Sequence, residues 1–163
     1  MHKHSKWISQ LENSNNIGIL VVDEKRRNIF VNNTLCKMFG YEKEFLLSRN
    51  AEIFHTNNES FTKFAKLAFD SVINGNSLEV DYQLKRSDGT LFWAHISGDY
   101  VANGKEVLWS LVDITDRIDA QEEAISQFNM LSTIINSTPD LIFYKDVTSI
   151  VTSITNPNGD YYV

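Results

Sequence analysis

One cysteine, Cys36, occurs in 163 residues, so no disulfide can form within the chain. Such usage fits a reducing cytoplasm. Long hydrophobic runs are also missing. The longest, "IGILVV" from Ile17 to Val22, falls far short of the roughly 20 apolar residues that cross a bilayer. The opening "MHKHSKWISQLENS" lacks the apolar segment of a secretory signal. The expectation is a cytoplasmic protein with no membrane insertion. Positive charge is in short supply: 15 Lys and Arg stand against 21 Asp and Glu, for a net charge of −6 and a pI near 5.1. An acidic chain is a poor match for a nucleic-acid backbone or an anionic membrane surface, so neither is expected as the main partner. There is no Gly-rich phosphate loop, no paired Cys or His at metal-binding spacing and no nucleophile motif. Glu52 and His55 form a lone polar pair in a loop, and His2 and His4 sit at a terminus prone to fraying. No catalytic residue, metal site or enzymatic activity is expected.

What is present is a capable core. At 42% hydrophobic and 12% aromatic residues, the chain has enough apolar surface to fold as one domain, or one domain plus a fragment. Trp7, Ile8 and Leu11 fall on one side of a short helix over residues 7–13. "IGILVVDEKRRNIFVN" reads as two strands joined by a polar turn. The first strand is apolar on both faces, with Ile17, Ile19 and Val21 against Leu20 and Val22, so both faces are expected to be covered. Asn33 or Thr34 can cap a short helix that Gly40 ends. "EKEFLL" adds a helical turn or two. Phe61, Phe64, Ala65, Ala68, Val72 and Ile73 repeat at helical spacing until Asn74-Gly75. Three strands follow: "SLEVDYQLK", the hairpin turn "SDG" (Ser87 to Gly89), "TLFWAHISGDYV", the turn "ANGK", and "EVLWSLVDIT". The last strand runs into the helical "DRIDAQEEAISQ" with no Gly or Pro between them. Two strands, several short helices and three strands make an α+β pattern, an antiparallel sheet with helices massed on one side.

Three stretches in this order resemble the PAS domain, the sensor fold of bacterial signal-transduction proteins: "FVNNTLCKMFGY", "KRSDGTLFWAHISG" and "VDITDR". The resemblance covers about residues 14–116. It implies the PAS fold, a five-stranded antiparallel sheet with short helices on one face enclosing a pocket, and a last strand that leads into a signalling helix. The expected parts are an N-terminal capping helix (1–13), the PAS domain (14–116), a signalling or linker helix (117–137) and a partial second PAS-like segment or hairpin (138–163). That last segment is suggested because "NSTPDLIFYKD" (Asn136 to Asp146) resembles "NSNNIGILVVD" (Asn13 to Asp23). After it, "VTSIVTSITNPNGDYYV" resembles the family's late hairpin. At the junction Thr115 can cap the helix. The motif's aspartate in relatives implies that Asp113 ties the junction to a nearby base such as Arg117; a solvated acidic helix start is the alternative.

The pocket decides what such a domain senses. "SRNAEIFH" resembles the flavin-binding branch, but Ala51 stands where that branch has its reactive cysteine, and a methyl group is no nucleophile. Leu84, Ala94 and Leu111 stand where that branch places amides, so flavin is disfavoured. Haem is disfavoured because the long helix carries no histidine; His55 precedes it, and His95 shares the face of Trp93. Strand parity puts Val80, Tyr82, Leu84, Phe92, Ala94, Ile96, Trp109 and Leu111 on the concave face, joined by Ile19 and Val21 from the first strand. These residues either line a site for a small, mostly apolar ligand or fill the space themselves. Trp93, with Leu20 and Val22, is expected on the outer face, covered by the Trp7 helix or by a second protomer. Ile118, Ile125, Phe128 and Ile135 keep heptad-compatible spacing, interrupted by Gln121 and Ser132, which suggests a homodimer through a short coiled coil or packing within the chain. Two functional classes remain: a ligand-sensing module that acts on its exit helix, and a ligand-free dimerisation module. If the chain is part of a longer protein, a histidine kinase or diguanylate cyclase is the kind of output expected downstream.

Overall fold

The computed structural model describes residues 12, 14, 16–72, 76–101, 106–137, 142–145, 151–155 and 161–162. The expected N-terminal helix with Trp7, the Asn74-Gly75 stop and the "ANGK" turn lie outside them. The chain divides into two compact units, Met1–Asp116 and Arg117–Val163.

In the first unit, β1 (Gly18–Val22) and β2 (Asn28–Val31) are followed by α1 (Asn33–Phe39), α2 (Lys43–Leu46), a 3₁₀ turn (Ala51–Phe54) and α3 (Asn58–Val72). Then come β3 (Leu78–Lys85), β4 (Leu91–Val101) and β5 (Glu106–Asp113). The five strands form one sheet in the order β2-β1-β5-β4-β3. Every neighbouring pair is antiparallel. The α+β expectation holds: the chain makes the two outer parts of the sheet in separate halves, and β5 closes the centre between β1 and β4.

Local chemistry fixes the turns. The Asp23 carboxylate accepts from the Lys25 and Arg27 amides, each at 2.9 Å, and folds the polar turn between β1 and β2 back on itself. Asn32, fully buried, caps α1: its Oδ1 accepts from the Leu35 amide at 2.9 Å and from the Ile19 amide at 2.9 Å, while its Nδ2 donates to the Ile17 carbonyl. The cap therefore lies one residue before the expected Asn33, because this side chain must also reach β1. Gly40 ends α1 at φ 74°, a left-handed conformation that glycine adopts without steric cost.

Gly18 and Gly98 set the packing. A Cβ at Gly18 would lie 3.0 Å from the Leu35 side chain, so the glycine lets α1 settle closely on β1. Gly98 pairs with Trp109 across β4 and β5, and a Cβ there would lie 2.2 Å from the indole. The core fills the space between sheet and helices, with Phe39, Phe92, Leu35, Leu46 and Val31 fully buried.

In the second unit, most of α4 (Thr115–Ser137) is followed by β6 (Ile142–Lys145), β7 (Val151–Thr155) and β8 (Tyr161–Tyr162). These strands form a three-stranded sheet in chain order, antiparallel throughout.

Candidate functional site

Between the sheet and α3 the first unit holds a cavity of about 350 Å³. One wall is sheet: Leu20 and Val22 from β1, Leu84 from β3, Ile96 and Tyr100 from β4, and Val107, Trp109 and Leu111 from β5. The facing wall is Ala51 and Phe54 of the 3₁₀ turn, His55, and Phe61, Phe64, Ala65 and Ala68 of α3. Asp23, Glu24 and Arg26 of the β1–β2 turn complete the lining. The Arg26 guanidinium lies over the Phe61 ring, 5.3 Å from its centroid. Asp23 is held by Arg27 at 2.6 Å, and the backbone and side-chain hydrogen bonds from Arg27 keep its carboxyl below the usual carboxylate range. Aromatic edges organise the interior: Phe64 meets Trp109 at 5.3 Å and Tyr82 at 5.2 Å between ring centroids.

Of the ten expected pocket residues, Leu84, Ile96, Trp109 and Leu111 line the cavity. Val80, Tyr82, Phe92 and Ala94 lie on the same concave face but belong to the surrounding core. Tyr82 is turned away from a ligand role by α3: its hydroxyl donates to the Ser60 carbonyl at 2.9 Å. Ile19 and Val21 are a correction. The register pairs Leu20 with Trp109 and Val22 with Val107, so Leu20 and Val22 face the cavity and Ile19 and Val21 face the other side. Leu20 and Val22 are thus core residues, each 5% exposed, and not part of an outer dimer face. The hydrophobic pattern could not choose between two apolar faces; the close seat of Leu35 on Gly18 does. Trp93, by contrast, is half-buried on the outer face, beside the exposed pair of His95 and Asp81 at 2.6 Å. Trp7 lies outside the described residues.

Sequence reasoning set His55 aside as a loop histidine and did not place it in the pocket. It is 5% exposed, packs against Phe61, Phe64 and Tyr82, and lines the cavity. Burial pulls its pKa from 6.5 to about 4, against the opposing attraction of Glu52, so the ring is neutral at physiological pH. Tyr100 and Val107 were legible as extensions of the parity already assigned to β4 and β5. Phe61, Phe64, Ala65 and Ala68 were legible as the apolar stripe of α3.

At the junction, β5 ends at Asp113 and α4 begins at Thr115, with Ile114 alone between. Thr115 is the first helical residue and not the cap before it. Its hydroxyl donates to Asp113 Oδ1 at 2.7 Å and accepts from the Trp93 amide at 3.1 Å. A base that reaches Asp113 is Arg86, whose Nη2 lies 2.5 Å from Oδ2, a partner from the β3–β4 turn where the sequence suggested a nearby base such as Arg117. Arg86 also donates to the Met38 carbonyl and lies 4.1 Å from the Phe92 ring centroid. Burial works upward on the Asp113 carboxyl, but the Thr115 and Arg86 hydrogen bonds outweigh it and the net shift is downward. Along α4, Ile118 is half-buried and Ile125 and Phe128 are exposed.

A cupped antiparallel sheet with helices closing a cavity, and a closing strand that passes directly into a helix, defines a small sensor-type α+β domain. A family model for the PAS domain matches residues 16–116, and the chain belongs to that family. The match does not extend to the three-stranded segment beyond α4. Solved structures agree on the fold. The PAS domain of a protein from Colwellia psychrerythraea aligns with a TM-score of 0.63 at 18% identity, over 69% of this chain and 98% of that one. The PAS domain of a LuxR-family transcriptional regulator from Burkholderia thailandensis, solved in complex with ethanol, gives 0.59 at 21% identity, over 66% and 96%. A domain of a sensory box sensor histidine kinase/response regulator from Geobacter sulfurreducens gives 0.58 at 19%, over 68% and 94%. No curated protein matches this chain. Among the described residues no helix is long and apolar enough to cross a membrane, and no group of three His, Cys, Asp or Glu could hold a metal.

Proposed function

We propose that this chain is a sensory module of a cytoplasmic signal-transduction protein, one that takes a small ligand between its sheet and α3 and passes the change along β5 into α4. The cavity carries this reading. A fold that only needed stability would close such a space, because unfilled volume in a core costs contacts. Trp109 and Leu111 line it from β5, four and two residues before Asp113, so a ligand that moves them acts on the strand that feeds the helix. The module itself does no chemistry in this reading; its output is an effector domain of the kind found with its fold relatives, a histidine kinase or a transcriptional regulator.

A bound flavin does not suit the walls. Leu84 and Leu111 present carbon where the polar edge of the ring needs partners, with Ala94 buried beside them. Each unpartnered polar group would cost about 1–3 kcal/mol. Ala51 supplies no nucleophile. Native mass spectrometry of the protein purified from cells tests the reading: a retained small molecule is expected, with no visible absorbance band. A clean apo protein that binds no member of a small-molecule library would count against it.

A second reading is favoured by one observation. Ile125, Phe128 and Leu131 of α4 are exposed, which suits a homodimer through this helix. A ligand-free dimerisation module would show the dimer and no bound molecule.

A further inference from the structure

We propose that the cavity takes a neutral, largely apolar molecule bearing one hydroxyl or N–H group, and that His55 Nε2 accepts the hydrogen bond from that group. This rests on the ligand-sensing reading above and narrows its ligand class.

The volume, about 350 Å³, is that of roughly a dozen water molecules in the liquid. Its walls are overwhelmingly aliphatic and aromatic, and His55 is the most deeply buried polar side chain among them. Among the described residues the imidazole has one hydrogen-bond contact, Nδ1 to Ser60 Oγ at 3.5 Å. The Ser60 hydroxyl donates to Tyr82 Oη at 3.3 Å, and Tyr82 Oη donates to the Ser60 carbonyl at 2.9 Å. With both hydroxyl protons directed along this relay, Ser60 Oγ is left to accept from Nδ1–H. That arrangement suits the tautomer whose Nε2 is an acceptor. Because His55 lines the cavity, a ligand hydroxyl or N–H there finds this acceptor on an otherwise largely apolar wall.

Charge selects against ions. An anion entering the cavity would meet Asp23 and Glu24 along with Arg26, whose guanidinium is already placed over Phe61. A cation would meet carboxylates only at the β1–β2 turn, where Asp23 is already paired with Arg27 at 2.6 Å and Glu24 stands beside it. The neutral state of the imidazole, set by burial, agrees with a neutral guest.

Isothermal titration calorimetry of the full chain with 1-naphthol, 1-methylnaphthalene and 1-naphthoate tests this. 1-Naphthol is expected to bind about tenfold tighter than 1-methylnaphthalene, the worth of one net hydrogen bond, and 1-naphthoate weakest. His55→Leu should erase the naphthol advantage while 1-methylnaphthalene still binds, which also reports that the variant folds. Should the variant fail to fold, the wild type decides alone. Its naphthol advantage should hold from pH 8 to pH 6 and vanish as pH falls through about 4, where the ring takes up a proton. The charged and titratable groups around the ring are Glu52, Tyr82 and Lys85 (through the Thr56 carbonyl), with Asp23, Glu24 and Arg26 on the same cavity. The 1-methylnaphthalene control at each pH separates ring protonation from their effects on the fold. Equal affinity for 1-naphthol and 1-methylnaphthalene would overturn the role of His55 and leave the ligand-sensing reading standing. Tightest binding of 1-naphthoate would overturn the neutral class. Binding of none of the three would remove the cavity as a site, and the ligand-sensing reading with it.

Discussion

Gly98 and Trp109 show how one side chain claims the volume of another. The indole crosses the strand at the place where any other residue would put its Cβ, 2.2 Å away. Gly98→Ala should therefore lower the unfolding free energy by about 1–3 kcal/mol, as overpacking in a filled core does. Chemical denaturation reads the loss. Trp109→Phe, which trims the ring, should recover part of it in the double variant, and strict additivity would mean that the two positions do not compete for space. His55 makes a different residue-scale prediction. Its ordinary pKa of 6.5 falls to about 4 in the fold, so between those values the unfolded chain binds the proton and the folded one refuses it. Stability must rise with pH across that window and fall as the protein is acidified from pH 6.5 to 4, by up to about 3 kcal/mol. His55→Gln should flatten this part of the pH profile in urea titrations; an unchanged profile would assign the acid sensitivity to other groups.

At the scale of elements, the junction of β5 and α4 depends on one carboxylate. Asp113 accepts from the Thr115 amide at 3.0 Å and the Thr115 hydroxyl, and is paired with Arg86 from the turn between β3 and β4. Asp113→Ala leaves the Thr115 amide without its acceptor. A loss of about 1–2 kcal/mol is expected, with faster hydrogen exchange at Thr115 and at the Trp93 amide that Thr115 holds. Because the folded pKa of Asp113 is depressed, its contribution is fully present above the ordinary value of 3.8 and is lost as pH falls through the folded one. Exchange rates at Thr115 that do not change would mean that the helix start is held by other groups. The elements themselves were readable from sequence wherever one pattern excluded the other: the alternation of β3 and β4, the 3- and 4-residue stripe of α3, the glycine that stops α1. β1 was not readable in the same way, since both of its faces are apolar and a one-residue change of parity costs nothing in the pattern. Its orientation is set by contacts from a different part of the chain, Leu35 on Gly18 and Trp109 opposite Leu20. The same is true of Arg86. It lies 27 positions from Asp113, and only the closing of the sheet brings the two together. His55 was invisible as a wall residue because it sits in a loop, where neither helical nor strand periodicity assigns a face.

At the scale of the whole molecule, α4 presents a run of exposed apolar side chains. Phe128 is 70% exposed and Met130 67%, and Ile125, Leu131 and Ile134 of the same helix are also exposed. Solvent contact on this scale along one helix is unfavourable, and the homodimer of the second reading proposed above would cover it. The heptad spacing makes that idea specific. Ile118, Ile125 and Ser132 share one seam position, Gln121, Phe128 and Ile135 the other, and Met130 falls on the outside of a paired helix. If α4 pairs in this register, Phe128→Glu buries two charges against each other and should weaken the dimer by about 100-fold, while Met130→Glu leaves it intact. Sedimentation equilibrium of both variants reads the difference, and the thermal transition of each confirms that the fold survives. Equal weakening by the two substitutions would point to a broader contact than a coiled coil. Weakening by Met130→Glu alone would place the seam on the opposite side of α4 and remove Ile125 and Phe128 from the interface.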